Sequence, residues 1–134
     1  MIIKRLLKFY FAADDLEYAL NRLINAHALR SMDCGECGEI IDKIISLTDD
    51  KYRLSVLWNA LDGVMEKLTG KDAETLKSYA FMRGGTNRLE EGERREIHRA
   101  VVKFSRRAKI AIERTRSQYN VLCRYYNLMG GAKD

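Results

Sequence analysis

Residues 93–129 read ERREIHRAVVKFSRRAKIAIERTRSQYNVLCRYYNLM, and this stretch decides the fold class. Its apolar residues return every third or fourth position. At about 100° per residue, Ile97, Val101, Phe104, Ala108, Ala111, Thr115, Tyr119, Leu122, Tyr126 and Met129 gather on one side. Opposite them stand Arg95, Arg99, Lys103, Arg106, Arg114 and Arg124. Such a pattern is an amphipathic helix. Acids at Glu90, Glu91 and Glu93 suit the positive end of the helix dipole, and Gly130-Gly131 suits its close. The expectation is one continuous helix from about Glu93 to Met129.

The same spacing extends over the rest of the chain. Helix one is predicted from about Ile3 to Arg30, with Leu6, Tyr10, Ala13, Leu16 or Glu17, Leu20, Leu23 or Ile24, and His27 as its stripe. Asp33-Cys34-Gly35 is expected to break it. A short helix follows, about Glu36 to Leu47, with Ile40, Ile41, Ile44 and Ile45 on a wide apolar face. Thr48 or Asp49 is a fitting cap for a third helix over about Asp50 to Thr69. That helix carries Leu54, Leu57, Trp58, Leu61, Val64, Met65 and Leu68, with Gly70 as a terminating glycine. A fourth covers about Asp72 to Arg83, and Thr69 with Asp72 forms a capping arrangement at its start. Alternation with a period of two is absent, and the chain holds no proline, which agrees with helices throughout. The reading is an all-α protein: residues 1–134 form a single-domain, elongated bundle of about five helices with a long N-terminal and a long C-terminal helix.

A chain of 134 residues with 46% hydrophobic and 32% charged residues can bury a core without disulfides or metal. Fibrous, low-complexity and disulfide-scaffold classes are excluded, and no stretch reaches the length needed to span a bilayer. The N-terminal MIIKRLLK begins like a signal peptide, but Lys8 and the acids Asp14 and Asp15 interrupt the apolar run. Three cysteines, an odd and low number, fit a reducing compartment. A cytoplasmic location is expected, with no membrane partner.

Charge is unevenly placed. Residues 93–129 hold ten Lys/Arg against three acids, a segment of +7, while the rest of the chain is −2. Long basic side chains can simply solvate an outer face. A row of them can also track phosphates, with salt-sensitive and mostly sequence-independent affinity, or bring arginines to guanine edges in a major groove. On the second reading Arg94, Arg95, Arg99, Lys103, Arg106 and Arg107 contact nucleic acid. In the second half of the same helix Ile110, Val121 and Leu128 point away from the main stripe. A helix apolar on two sides is usually packed on two sides. These three residues are therefore the expected interface of a homo-oligomer, with a two-fold dimer favoured.

Enzyme chemistry finds little support. Cys34-Gly35-Glu36-Cys37 could share a metal or form a redox pair. A redox motif of this kind normally follows a strand, and a structural zinc site needs four ligands, whereas no second Cys-x-x-Cys exists. Incidental cysteines at a turn are the expectation. His27 and His98 have no evident acid partner. Gly84-Gly85 lacks the Lys-Ser/Thr of a phosphate loop, and no serine has a nucleophile-elbow context. Neither a catalytic residue, a metal, a cofactor nor a small-molecule ligand is inferred.

Residues 57–112 are slightly similar to region 4 of bacterial sigma factors and the related phage late-gene regulators. The likeness lies in Leu57, Leu61, Leu68, Asp72, Leu76-Lys77 and Tyr79, followed by Arg99, Lys103 and Arg106-Arg107-Ala108. In that family a helix-turn-helix delivers a basic helix to the major groove, so the resemblance implies DNA contact by the basic helix. The sequence departs from the pattern where the family has a scaffold helix and tight turn, since only Gly84 to Gly92 stands there. The likeness covers under half the chain, rests on common residue types and is not a family assignment. Two functions are thus expected: a non-enzymatic, nucleic-acid-binding or transcription-associated regulator, or a helical protein–protein interaction or dimerisation module.

Overall fold

Two long antiparallel helices carry the architecture. The computed structural model describes residues 2–33, 38–83 and 85–129, the side chains of Ser31, Asp33 and Asn87 excepted. Helix α1 spans Ile2–Asp33 and α2 spans Gly38–Met65. Helix α3 spans Gly70–Phe81, α4 Glu91–Arg114 and α5 Arg116–Tyr125, with short 3-10 turns at Thr86–Arg88 and Tyr126–Leu128. No strand occurs among the described residues, so the fold is an all-α, bundle-like arrangement of five α-helices.

Helices α1 and α2 form a hairpin whose register is set by polar contacts. Lys51 reaches Asn21 at 2.9 Å and Glu17 at 3.6 Å, and Tyr10 donates its hydroxyl to Asp62 at 2.6 Å. Helix α3 packs on α1, α4 on α2 and α3, and α5 on α2, while the turn at Tyr126–Leu128 returns to α1. The core joins Leu6, Leu7, Phe9, Leu16 and Leu20 of α1 to Leu54, Leu57 and Leu61 of α2. Leu76 of α3, Phe104 and Ala108 of α4, and Leu122 of α5 close it from the other side. Buried side chains stop at Leu20 on α1 and begin at Leu47 on α2. Beyond them the far end of the hairpin buries no described side chain.

Three local readings are corrected. The expected helices over 36–47 and 50–69 are one helix, α2, with no cap between them. Thr48 turns its hydroxyl back onto the Ile44 carbonyl at 2.8 Å, and Asp49 pairs with Arg53 at 2.9 Å, so both side chains serve a continuing helix. Gly70 opens α3 rather than ending the preceding helix, which stops at Met65. The capping expectation itself stands, since the Thr69 hydroxyl accepts the Asp72 amide at 3.2 Å.

The third correction concerns the C-terminal rod. It is not continuous but breaks at Thr115, whose φ of −111° and ψ of 26° leave the helical region. The Thr115 hydroxyl donates to the Ala111 carbonyl at 2.7 Å, a back-bond that bends helices. Beyond the break α5 packs on α2, where buried Asp50 accepts from the Tyr125 hydroxyl and lies 3.5 Å from Arg124. Helix α1 has a matching kink at Ala12, with φ −115° and ψ 19°. There the Trp58 indole donates to the Tyr10 carbonyl at 3.0 Å, and its ring stacks on Tyr10 with centroids 5.3 Å apart. A side chain that bonds the helix backbone is an ordinary cause of such a kink.

Candidate nucleic-acid interface

Helix α4 buries Ile97, Ala100, Phe104 and Ala108 against α2 and α3. That face fixes what the opposite one presents. Arg95, Arg99 and Arg106 fall near the outermost line of the helix, and Lys103 lies beside them. Arg94 and Arg107 flank the row on either side. All six are exposed. The side chains of Glu91, Arg94, Arg95, His98, Arg99, Val102, Lys103 and Arg106 line a shallow, open surface along this face. All six residues precede the break at Thr115, so they share one straight element of 24 residues, about 36 Å long.

The charge on this face is only partly neutralised. Arg95 pairs with Glu91 at 2.8 Å, one turn earlier on the same helix, with both side chains largely in solvent. Lys103 reaches Asp72 at 3.2 Å, across to the start of α3. Burial pulls the Asp72 carboxyl upward, but Lys103 and Thr69 outweigh it and hold the group below its ordinary value. Among the described residues no carboxylate lies within ion-pair distance of Arg94, Arg99, Arg106 or Arg107.

The three cations in the first turns of α1 behave differently. Lys4, although mostly buried, donates to the Met82 carbonyl at 3.0 Å and lies over the Tyr79 ring. Arg5 and Lys8 sit over the face of Tyr126 at 5.2 and 5.6 Å. Hydrogen bonding to Tyr119 and Cys123 pushes the Arg5 guanidinium further up, and burial raises the Tyr119 phenol. These cations are spent on the aromatic faces of the chain's own interior. Those of α4 face solvent. Net charge alone does not distinguish the two sets.

The apolar residues set apart in the sequence separate in space. Val121 is 2% exposed and belongs to the core under α5, because the break at Thr115 turns its face inward. Ile110 is 63% exposed, one turn after Arg106 on the basic face itself. Leu128 is 41% exposed in the turn that returns to α1. The three do not form one patch. Cys34 and Cys37 lie outside the described residues, and among those described no group of three metal-ligating side chains comes together. No helix among them is long and apolar enough to cross a membrane.

One concavity was not legible in the sequence. Where α1 kinks, a cleft of about 350 Å³ opens between α1 and α2. Phe9, Leu16, Leu20, Leu54 and Trp58 contribute to its walls, and Asp14, Glu17 and Lys51 supply charged groups. Its signal, a kink at an alanine inside a perfect helical period, is invisible to composition or spacing.

Fold and face together define an all-α helical protein with one straight, cationic, outward-facing helix. Comparison of the chain with protein-family models, with curated proteins and with solved structures finds no match. The slight similarity to a helix-turn-helix therefore rests on the quoted residues alone. Between α3 and α4 the described residues hold only the 3-10 turn at Thr86–Arg88, without a scaffold helix.

Proposed function

We propose that this protein is a small, non-enzymatic nucleic-acid-binding regulator that holds the phosphate backbone with the outer face of α4. Arg95, Arg99, Lys103 and Arg106 form the contacting row, and Arg94 and Arg107 widen it. One observation carries the reading: four of these six cations have no carboxylate within ion-pair distance among the described residues, on a straight helix free of other packing on that side. From Arg95 to Arg106 the row runs about 16 Å. A duplex carries one charge per roughly 1.7 Å of axis, so the row faces several phosphates at once. Each neutralised phosphate releases condensed counterion, which is the source of affinity.

The test is binding of the full chain to labelled duplex and single-stranded oligonucleotides across a range of salt. The expected result is binding at low salt that weakens linearly in log–log form as salt rises. The double substitution Arg99→Glu and Arg106→Glu should weaken it at least about tenfold. Absence of binding to both kinds of strand at low salt would overturn the proposal.

A further inference from the structure

The far end of the α1–α2 hairpin carries a second surface, separate from α4. Among the exposed large apolar residues, Tyr18, Leu23, Leu29 and Met32 stand on the second half of α1, and Ile41, Ile45 and Tyr52 on α2. At about 100° per residue Tyr18, Leu29 and Met32 fall within a sector of about 60°, with the less exposed Leu23 apart from them, and the three of α2 fall within about 40°. On both helices this stripe lies about 90° from the seam marked by Glu17, Asn21 and Lys51, turned in the direction of increasing residue number. Because the helices are antiparallel, equal rotations on the two bring both stripes to the same side of the hairpin. The buried residues Leu16 and Leu20 of α1 and Leu54 and Leu61 of α2 lie the other way from the seam, toward the body of the protein. The hairpin is thus apolar on two sides, and among the described residues only one is covered by its own chain.

Charge identifies the cover. Residues 18–32 of α1 hold Arg22 and Arg30 and no acid, while residues 38–49 of α2 hold Glu39, Asp42 and Asp49, the last also paired with Arg53 of its own helix, against Lys43 alone. Arg22 lies over the Tyr18 ring at 5.8 Å, which keeps its guanidinium at the edge of the apolar stripe. The register set by Lys51 places Arg22 level with Asp49, and Arg30 level with Asp42. We infer that a second copy of this chain covers the face, related by a two-fold axis parallel to the hairpin. That axis lays α1 of one copy along α2 of the other without changing height. It sets Arg22 level with Asp49 of the partner subunit and Arg30 level with Asp42 of the partner subunit, twice over. The other two-fold, perpendicular to the hairpin within the face, would set α1 on α1 and bring like charges together. The product is an antiparallel four-helix bundle built from two hairpins, with an isologous interface. It leaves the α4 face of both copies open and does not depend on nucleic acid.

The experiment is sedimentation of the full chain, without nucleic acid, over a wide concentration range. The wild-type chain should be a dimer. Ile45→Asp, at a side chain exposed in the single chain, should keep the helical circular dichroism and raise the half-dissociation concentration at least about tenfold. A charge exchange tests the axis independently of any apolar change. Arg22→Glu with Arg30→Glu should yield monomer, as should Asp42→Lys with Asp49→Lys. An equimolar mixture of these two double variants should recover a heterodimer, because each α1 then meets an α2 of opposite sign. A wild-type monomer or higher oligomer, a dimer indifferent to Ile45→Asp, or a mixture that stays monomeric would each overturn the inference.

Discussion

The Asp50 carboxylate of α2 is buried beneath α5, where it accepts a hydrogen bond from the Tyr125 hydroxyl 75 residues away in the chain. This contact, with Arg124 at 3.5 Å, holds the segment after the Thr115 break against α2. Tyr125→Phe leaves a buried carboxylate short of a donor. The cost should be about 1–3 kcal/mol in urea unfolding.

Alkaline titration reads the same contact and its counterpart at Tyr10. Burial first, and then the hydrogen bond to a carboxylate, push Tyr10 and Tyr125 up to about 12. An unfolded tyrosine ionises near about 10. The folded state therefore keeps these protons after the unfolded state has lost them. Their contribution to stability is complete below pH about 10 and falls away as pH rises to about 12. Absorbance titration of phenolate should show Tyr10 and Tyr125 ionising only as pH approaches about 12, and their replacement by Phe should remove that late step; a late step that survives both replacements would contradict the two contacts.

The two sides of the C-terminal segment should respond oppositely to truncation. Leu122 is fully buried, and Leu122→Ala should cost about 2–5 kcal/mol through lost transfer energy and the cavity left behind. Ile110→Ala, on the exposed basic face, should stay within about 0.5 kcal/mol of wild type. Thermal or denaturant melts of the two variants decide it, and similar losses would mean that Ile110 is packed.

Trp58 joins α2 to the kink of α1. Trp58→Phe retains an aromatic ring against Tyr10 but removes the indole donor to the Tyr10 carbonyl. The expected loss is about 1 kcal/mol in urea unfolding. An unchanged midpoint would mean that the kink at Ala12 holds without this bond.

Counterion release makes the α4 proposal quantitative. Each phosphate contact contributes about 0.9 to the slope of log affinity against log salt on duplex. Arg99→Ala with Arg106→Ala should therefore lower that slope by about 2, uniformly across sequences. Lys4→Ala, at a cation already donating to the Met82 carbonyl, should leave the slope unchanged while reducing stability.

Helical class, the inward stripe of α4 and the cap at Thr69 were all legible from residue spacing. A period of three to four residues and a short-range hydroxyl-to-amide bond are local properties, written in neighbouring residues. The basic row was legible for the same reason, and every one of its members proved exposed. Three features were not. Thr48 and Asp49 read as a cap, yet α2 runs through them. Thr115 read as an ordinary member of the apolar stripe, yet the helix breaks there and carries Val121 into the core. The cations in the first turns of α1 and those of α4 read alike, yet Lys4, Arg5 and Lys8 lie on tyrosines while Arg99 and Arg106 are exposed. Thr48 and Asp49 find partners one turn away, but for the other two the deciding partner is far away in sequence: Asp50 for Tyr125, Tyr126 for Arg5 and Lys8, Met82 for Lys4. Sequence pattern determines which faces are apolar and which are charged. Only the tertiary arrangement determines which of those faces find a partner within the chain, because the free energy of burying a charge or bending a helix depends on the groups that pack against it.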